Sequence, residues 1–184
     1  MTQEPVRGSV QSLYSATAPA AQFTVFSERL EYATSHPCEF IDVSDDVRGV
    51  VERSGVATGQ VLVSSAHTTA AVIVQEHEPL LLRDMARLLQ RIAPVDDYYE
   101  HNDFTIRTVN MADNEPENGH SHLQHLFLGA SETLPIVDSA IQMGMWQSIF
   151  LVELDNPPLR PEGQQRRRIT VQVMGLLPDA TSTG

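Results

Sequence analysis

Two short apolar runs stand almost end to end in the first half of the chain, residues 60–66 (QVLVSSA) and 69–75 (TAAVIVQ). Each has strand length and is rich in valine or isoleucine, and His67 lies between them. Similar patterns recur at residues 22–33 (QFTVFSERLEYA), 133–137, 146–154 and 167–174. Helical spacing is scarcer. Ser44-Asp45-Asp46 offers N-cap chemistry ahead of Val47, Val50 and Val51, with Gly55 as the stop. Pro79 is placed as the first residue of a second helix, with Leu80, Leu81, Met85, Leu88, Leu89 and Ile92 as its apolar stripe up to Pro94. A third helix is predicted over residues 121–128, ending at Gly129. Strands outnumber helices and do not alternate strictly with them. The predicted class is therefore α+β, with an antiparallel or mixed β-sheet and a few helices.

A chain of 184 residues, 41% of them hydrophobic, can bury one substantial core. One domain is expected over residues 22–175, with flexible tails at 1–21 and 176–184. Pro157, Pro158, Pro161 and Gly163 mark the loop between the last two strands. The single cysteine, Cys38, leaves no intrachain disulfide and points to packing in a reducing, cytoplasmic setting. The first residues lack the basic start and apolar run of a secretory signal. No apolar run reaches the roughly 20 residues that a membrane-spanning helix needs.

Formal net charge is -12, and all twelve basic residues are arginine. That balance argues against a nucleic-acid partner, and the absence of lysine removes both Schiff-base chemistry and a P-loop. Four of seven histidines, His101, His120, His122 and His125, fall within 25 residues, in or beside a long polar stretch at 95–119. Loops of that length tend to be functional or disordered, and clustered imidazoles suggest metal or acid–base chemistry. His120 and His122 could share an ion in a loop, whereas His122 and His125 would share a helix face. Strict alternation puts His67 and Gln75 on one face of the second run and Glu76 on the other. Glu76 then joins His67 only through a bulge, or else serves as a helix N-terminal charge. Trp146 is expected in the core, with Gln147, Glu153 and Asp155 on the opposite strand face.

Taken together, His67-Thr68-Thr69-Ala70-Ala71, Glu76 with Pro79 and Asp84, Tyr99-Glu100-His101-Asn102, Ser121-His122-Leu123, Leu128-Gly129-Ala130-Ser131, Pro135, Gly144-Met145-Trp146-Gln147 and Arg167-Arg168-Ile169 resemble the YjbQ family. The resemblance spans roughly residues 22 to 175 and rests on the order and spacing of these motifs. It implies an α+β fold with an antiparallel β-sheet sandwich, assembled as a homotrimer, with a histidine-lined metal site and a weak thiamine-phosphate synthase activity. That reaction joins a pyrimidine methyl diphosphate to a thiazole phosphate and expels pyrophosphate. By matched position it implies His67, His101 and His122 as ligands to a divalent metal, zinc above all, with magnesium entering alongside a diphosphate. Glu76 and Gln147 are implied as catalytic, and Arg167, Arg168, Thr68 and Ser131 as binding a small-molecule substrate. The chain departs from the family at Gln75-Glu76-His77-Glu78-Pro79, where Asn-Glu-Asn and Asp-Pro are usual. It also has Gln124 in place of a basic residue and His125 in place of a small one. Two other function classes are expected to compete with the transferase. One is a zinc-dependent hydrolase or lyase of a small phosphorylated or carboxylated metabolite, and the other a non-catalytic ligand-binding oligomer.

Overall fold

In the computed structural model, residues 22–111, 114–160 and 166–178 are described; the expected tails, apart from residues 176–178, and Pro161 and Gly163 lie outside them. The β-branched and aromatic alternation at the start of the chain forms β1 (Phe23–Ala33), where Phe26, Leu30 and Tyr32 turn inward. It pairs with β8 (Arg166–Leu176), the next strand is β3 (Thr58–Ser65), and β5 (Ser131–Val137) and β6 (Ala140–Ile141) complete a five-stranded antiparallel sheet. The second sheet holds β2 (Glu39–Asp42), β7 (Gln147–Glu153) and β4 (Ala70–Glu76), also antiparallel, in the order β2-β7-β4. The two adjacent apolar runs thus enter different sheets. The short link carrying His67 crosses from one layer to the other.

Between the sheets lies the main core, including Val61, Val63, Val72, Ile149, Leu151, Ile169, Val171 and Val173. α1 (Ser44–Ser54) adds Val47, Val50 and Val51 to it. Each such burial stabilises by about 1.5–3 kcal/mol before chain entropy is charged. A second cluster, Ala71, Leu89, Phe150, Val152 and Leu154, fills the space between the three-stranded sheet and the helices α2 (Pro79–Ile92) and α3 (Gly119–Leu128). Strand β7 is therefore buried on both faces, which is why its sequence is almost continuously apolar.

Three local expectations are corrected. Ser44 does not cap α1: its hydroxyl donates to Asp42 Oδ1 at 2.5 Å and accepts the Ile149 N–H at 2.9 Å, which ties the helix start to β7. The expected stop does hold, since Gly55 takes the left-handed conformation at φ 70° that a side chain disfavours. α2 starts as expected, with the Glu78 carboxylate accepting the Leu80 and Leu81 N–H groups at 2.9 and 2.8 Å. Its apolar stripe, however, is only partly covered: Leu89 is buried while Leu80, Leu88 and Ile92 are exposed, because the small sheet beneath is shared with α3. Trp146 is 69% exposed, outside the core, since it precedes the first ladder pair of β7. Among the described residues no helix is long and apolar enough to cross a membrane.

Gly59 and Gly175 face each other across β3 and β8 at a point where a Cβ on Gly59 would come within 2.1 Å of the Met174 carbonyl oxygen. Only glycine permits that approach. Gly59→Ala is expected to lower stability by about 1–3 kcal/mol in urea titrations, the usual cost of forcing atoms into packed space.

Candidate functional site

Glu153 ends β7 on the face that points between the sheets, and it is completely buried. A carboxylate there is tolerable only if it is paired and fully hydrogen-bonded. Arg167, on the inward face of β8, supplies a two-point contact, with Nε 2.8 Å from Oε2 and Nη2 2.6 Å from Oε1. Arg160 donates to Oε2 at 2.7 Å, the Thr34 hydroxyl does so at 2.7 Å, and the Asp155 N–H reaches Oε1 at 3.0 Å. Burial pushes this carboxyl up, but the bonds and charge of Arg167, with Thr34 and Arg160, outweigh it and hold Glu153 below the usual carboxylate range. The network closes one end of the sandwich by joining both sheets.

Just outside it opens a cleft of about 740 Å³, lined by His67, Thr68, Asn118, His122, Asp155 and four arginines, Arg160, Arg166, Arg167 and Arg168, among others. His67 Nε2 accepts the Arg168 backbone N–H at 2.9 Å, so the neutral ring carries its proton on Nδ1. That nitrogen lies 3.3 Å from Arg167 Nη1. Burial first, then the charges of Arg167 and Arg168, lower the His67 pKa to about 4. His67 is therefore a neutral hydrogen-bonding group at physiological pH.

The polar stretch at 95–119 forms the cleft's other wall. A single 3₁₀ turn, Glu100–Asn102, packs on the start of α3, with Asn102 Oδ1 accepting the Gly119 N–H at 2.8 Å. A Cβ on Gly119 would meet Tyr99 Cβ at 2.7 Å, so the missing side chain sets this approach. It brings His101 edge-on to His122, with ring centroids 4.6 Å apart. Arg107 holds the stretch by donating to His101 Nε2 at 3.1 Å and pairing with Glu115 at 2.7 Å. Burial, and then the neighbouring His101, lower the His122 pKa. His120 does not share an ion with His122: two apart on a helix, it points elsewhere, is buried, and contacts Ser121 Oγ at 3.1 Å.

The cleft thus gathers His67, Thr68, His122, Arg167 and Arg168 of the expected set, with His101 against its wall. Ser131 lies at the same end of the sheet, opposite Ser64, but not in the cleft lining. Glu76 and Gln147 do not join them. They face each other at the far ends of β4 and β7, six ladder positions from the Ala70–Glu153 pair, or about 20 Å away. Nor do His67, His101 and His122 converge: His67 Nε2 already holds the Arg168 amide. Among the described residues no three His, Cys, Asp or Glu groups could hold a metal ion. The arrangement within one chain does not fit a three-histidine zinc centre. Arg167 is also not a free phosphate contact, since Glu153 occupies most of its fork. Arg160 and Asp155 were not singled out as site residues by sequence reasoning. The available signal was Glu153 itself, a carboxylate inside an apolar strand that needed buried cationic partners.

The sequence model for the UPF0047 protein YjbQ-like family matches residues 28–176. The chain belongs to this family. A UPF0047 protein of Methanothermobacter thermautotrophicus is 38% identical over 151 residues, covering 82% of this chain and 93% of that one. The UPF0047 protein sll1880 of Synechocystis is 30% identical over 158 residues, covering 85% and 96%. Among solved structures, a YbjQ-like protein of unknown function from Sulfolobus solfataricus superposes with a TM-score of 0.72 at 33% identity, covering 84% of this chain and 99% of that one. The family's α+β architecture of paired antiparallel sheets is thus shared.

Glu153→Gln removes the carboxylate that two buried guanidinium groups share and leaves them only Asp155, 3.7 Å from Arg167, so denaturation should show a loss of about 3–5 kcal/mol. The depressed His67 pKa favours the neutral ring in the folded state. Its contribution to stability is present above the unfolded pKa near 6.5 and is lost as pH falls toward about 4. The midpoint of unfolding should therefore fall through that window, and His67→Gln should flatten the fall.

Proposed function

We propose that the arginine cleft binds the anionic end of a small phosphorylated metabolite, and that the chain catalyses the thiamine-phosphate synthase reaction that its family resemblance implies. The observation that carries this reading is the gathering of four of twelve arginines around one cleft in a chain of net charge -12, two of them, Arg166 and Arg168, left exposed while Glu153 holds Arg160 and Arg167. Arg166 and Arg168 stand at its rim with exposed guanidinium groups, placed for two-point contacts to phosphate. Deeper in, the His67 Nδ1–H and Arg167 Nη1 are donors 3.3 Å apart, and one anionic oxygen between them would serve both.

The chemistry matches what these groups can supply. In the coupling, the bond from the pyrimidine methylene to the pyrophosphate oxygen breaks, and a bond from the thiazole nitrogen to that carbon forms. No proton need move, so a neutral histidine and fixed cations suffice. Arginine N–H groups aimed at the departing pyrophosphate stabilise charge as it develops. This favours group transfer over a hydrolysis that needs an activated water. We further read the protein as a cytoplasmic homotrimer. The exposed apolar residues Leu80 and Leu88 on α2, with Leu126 and Phe127 on α3, support burial against further copies.

Purified protein given both substrates and Mg²⁺ should form thiamine phosphate. Arg166→Ala and Arg168→Ala should each reduce the rate by about 10- to 100-fold, the worth of one charge-assisted contact. Absence of product from the unaltered protein would reject the transferase reading.

A further inference from the structure

The imidazole best arranged as a base in this chain is not in the cleft. His77 Nδ1 lies 2.8 Å from Asp42 Oδ2, and Asp42 is held in turn by the Ser44 N–H at 2.9 Å and hydroxyl at 2.5 Å. An imidazole oriented through Nδ1 by a carboxylate leaves Nε2 for other work, and the His77 side chain is half exposed. Beside it, Glu76 and Gln147 sit opposite each other on β4 and β7, with Gln147 steadied by the Gly144 N–H at 2.7 Å. Met145 and Trp146 project next to them, 87% and 69% exposed. This far end carries the carboxylates Asp42, Glu76 and Glu78 around His77, whereas the rim of the cleft exposes Arg166 and Arg168, with Arg160 and Arg167 paired to Glu153 behind them and Glu31, Glu115 and Asp155 also in the lining. Exposed apolar groups also flank the cleft, with Phe104, Ile106 and Val109 on the segment that Arg107 ties to His101 and Glu115.

Two different patches on one chain, one presenting carboxylates and the other the exposed rim arginines, and both edged with apolar side chains, are what a head-to-tail interface requires. Such an interface closes into a ring when the rotation between copies permits. We propose that the far end of one copy, Glu76, His77, Gln147 and Trp146, docks on the cleft rim of the next, so that each ligand site is built from two chains. About 20 Å separates Glu76 from the cleft of its own chain, but the neighbouring copy's Glu76 would lie at the cleft rim beside Arg166. The inference rests on the homotrimer and the cleft described above, and it adds the partner surface and the residues that surface contributes.

Trp146 is the only tryptophan, so its emission reports this contact without any ligand. In the assembled protein the indole should emit as a buried ring and resist acrylamide quenching. Arg166→Glu should weaken assembly at least tenfold in sedimentation and shift the emission to that of an exposed indole. Glu76→Arg should do the same, while the two substitutions together in one chain should restore both signals, because every interface then carries the swapped pair. An exposed indole in the assembled unaltered protein, or additive losses in the double variant, would overturn the proposal. Catalysis gives a second reading. Equal amounts of Arg168→Ala and Glu76→Gln chains, each slowed about 10- to 100-fold alone, should rise to about a quarter of normal activity on mixed assembly, because one site in four joins two intact halves. No recovery, with the unaltered protein active, would also overturn it. Inactivity of the unaltered protein would reject the transferase reading alone and leave the fluorescence result to decide this one.

Discussion

Glu153 is held at the bottom of the cleft by Arg167, Arg160, Thr34 and the Asp155 amide, and the arrangement of the site follows from that contact. A carboxylate taken wholly out of water costs several kcal/mol, which only close, multiply bonded cations offset. Because the partners come from the other sheet and from the segment after β7, satisfying Glu153 fixes three parts of the chain relative to one another. Arg167 also donates to the Thr69 hydroxyl at 2.9 Å, which places the link between β3 and β4. His67 sits on that link, and the Arg168 amide then orients its ring. One buried charge thus propagates outward into the position of a ligand-facing group.

The opposite wall is set by a different constraint, the empty space at Gly119. Tyr99 and Asn102 approach the start of α3 as closely as they do because no Cβ intervenes. His101 and His122 meet through that approach, although 21 residues separate them in sequence. Burial lowers the pKa of His67, His120 and His122 and so favours their neutral forms, and in the cleft the cations add to the effect on His67. The outcome is a site whose positive charge comes from arginine rather than histidine, with His67 acting as a neutral donor and acceptor.

Much of the fold was legible in the chain. Strand runs alternated where one face meets solvent, as in β1 and β8, and ran continuously apolar where both faces are covered, as in β7. Pro79 and Gly55 marked helix limits through their backbone preferences. The short strands β2 and β6 escaped notice because four or two residues carry too little periodicity to register. Trp146 was misplaced because hydrophobicity predicts burial only when something is present to cover the residue, and position just before a ladder leaves it bare. The stripe of α2 illustrates the same limit. Periodicity identifies an apolar face without naming what packs against it.

For the site, the chain itself identified the residue types and a good part of the cluster: His67, Thr68, His122, Arg167 and Arg168 do meet. The family resemblance, through matched positions, supplies these residues; local spacing alone points to His120 with His122 or His122 with His125. Tertiary structure alone decided that Arg167 is spent on Glu153, that Arg160 enters from a loop, and that Glu76 and Gln147 stand at the other end of their strands. Those outcomes depend on antiparallel register and on the pairing of a buried charge, both of which join residues distant in sequence. The sequence by itself determined the α+β class, with an antiparallel or mixed sheet, and the polar, histidine-bearing character of the site; the folded arrangement brought the arginines beside those histidines and decided which charges remain free to meet a ligand.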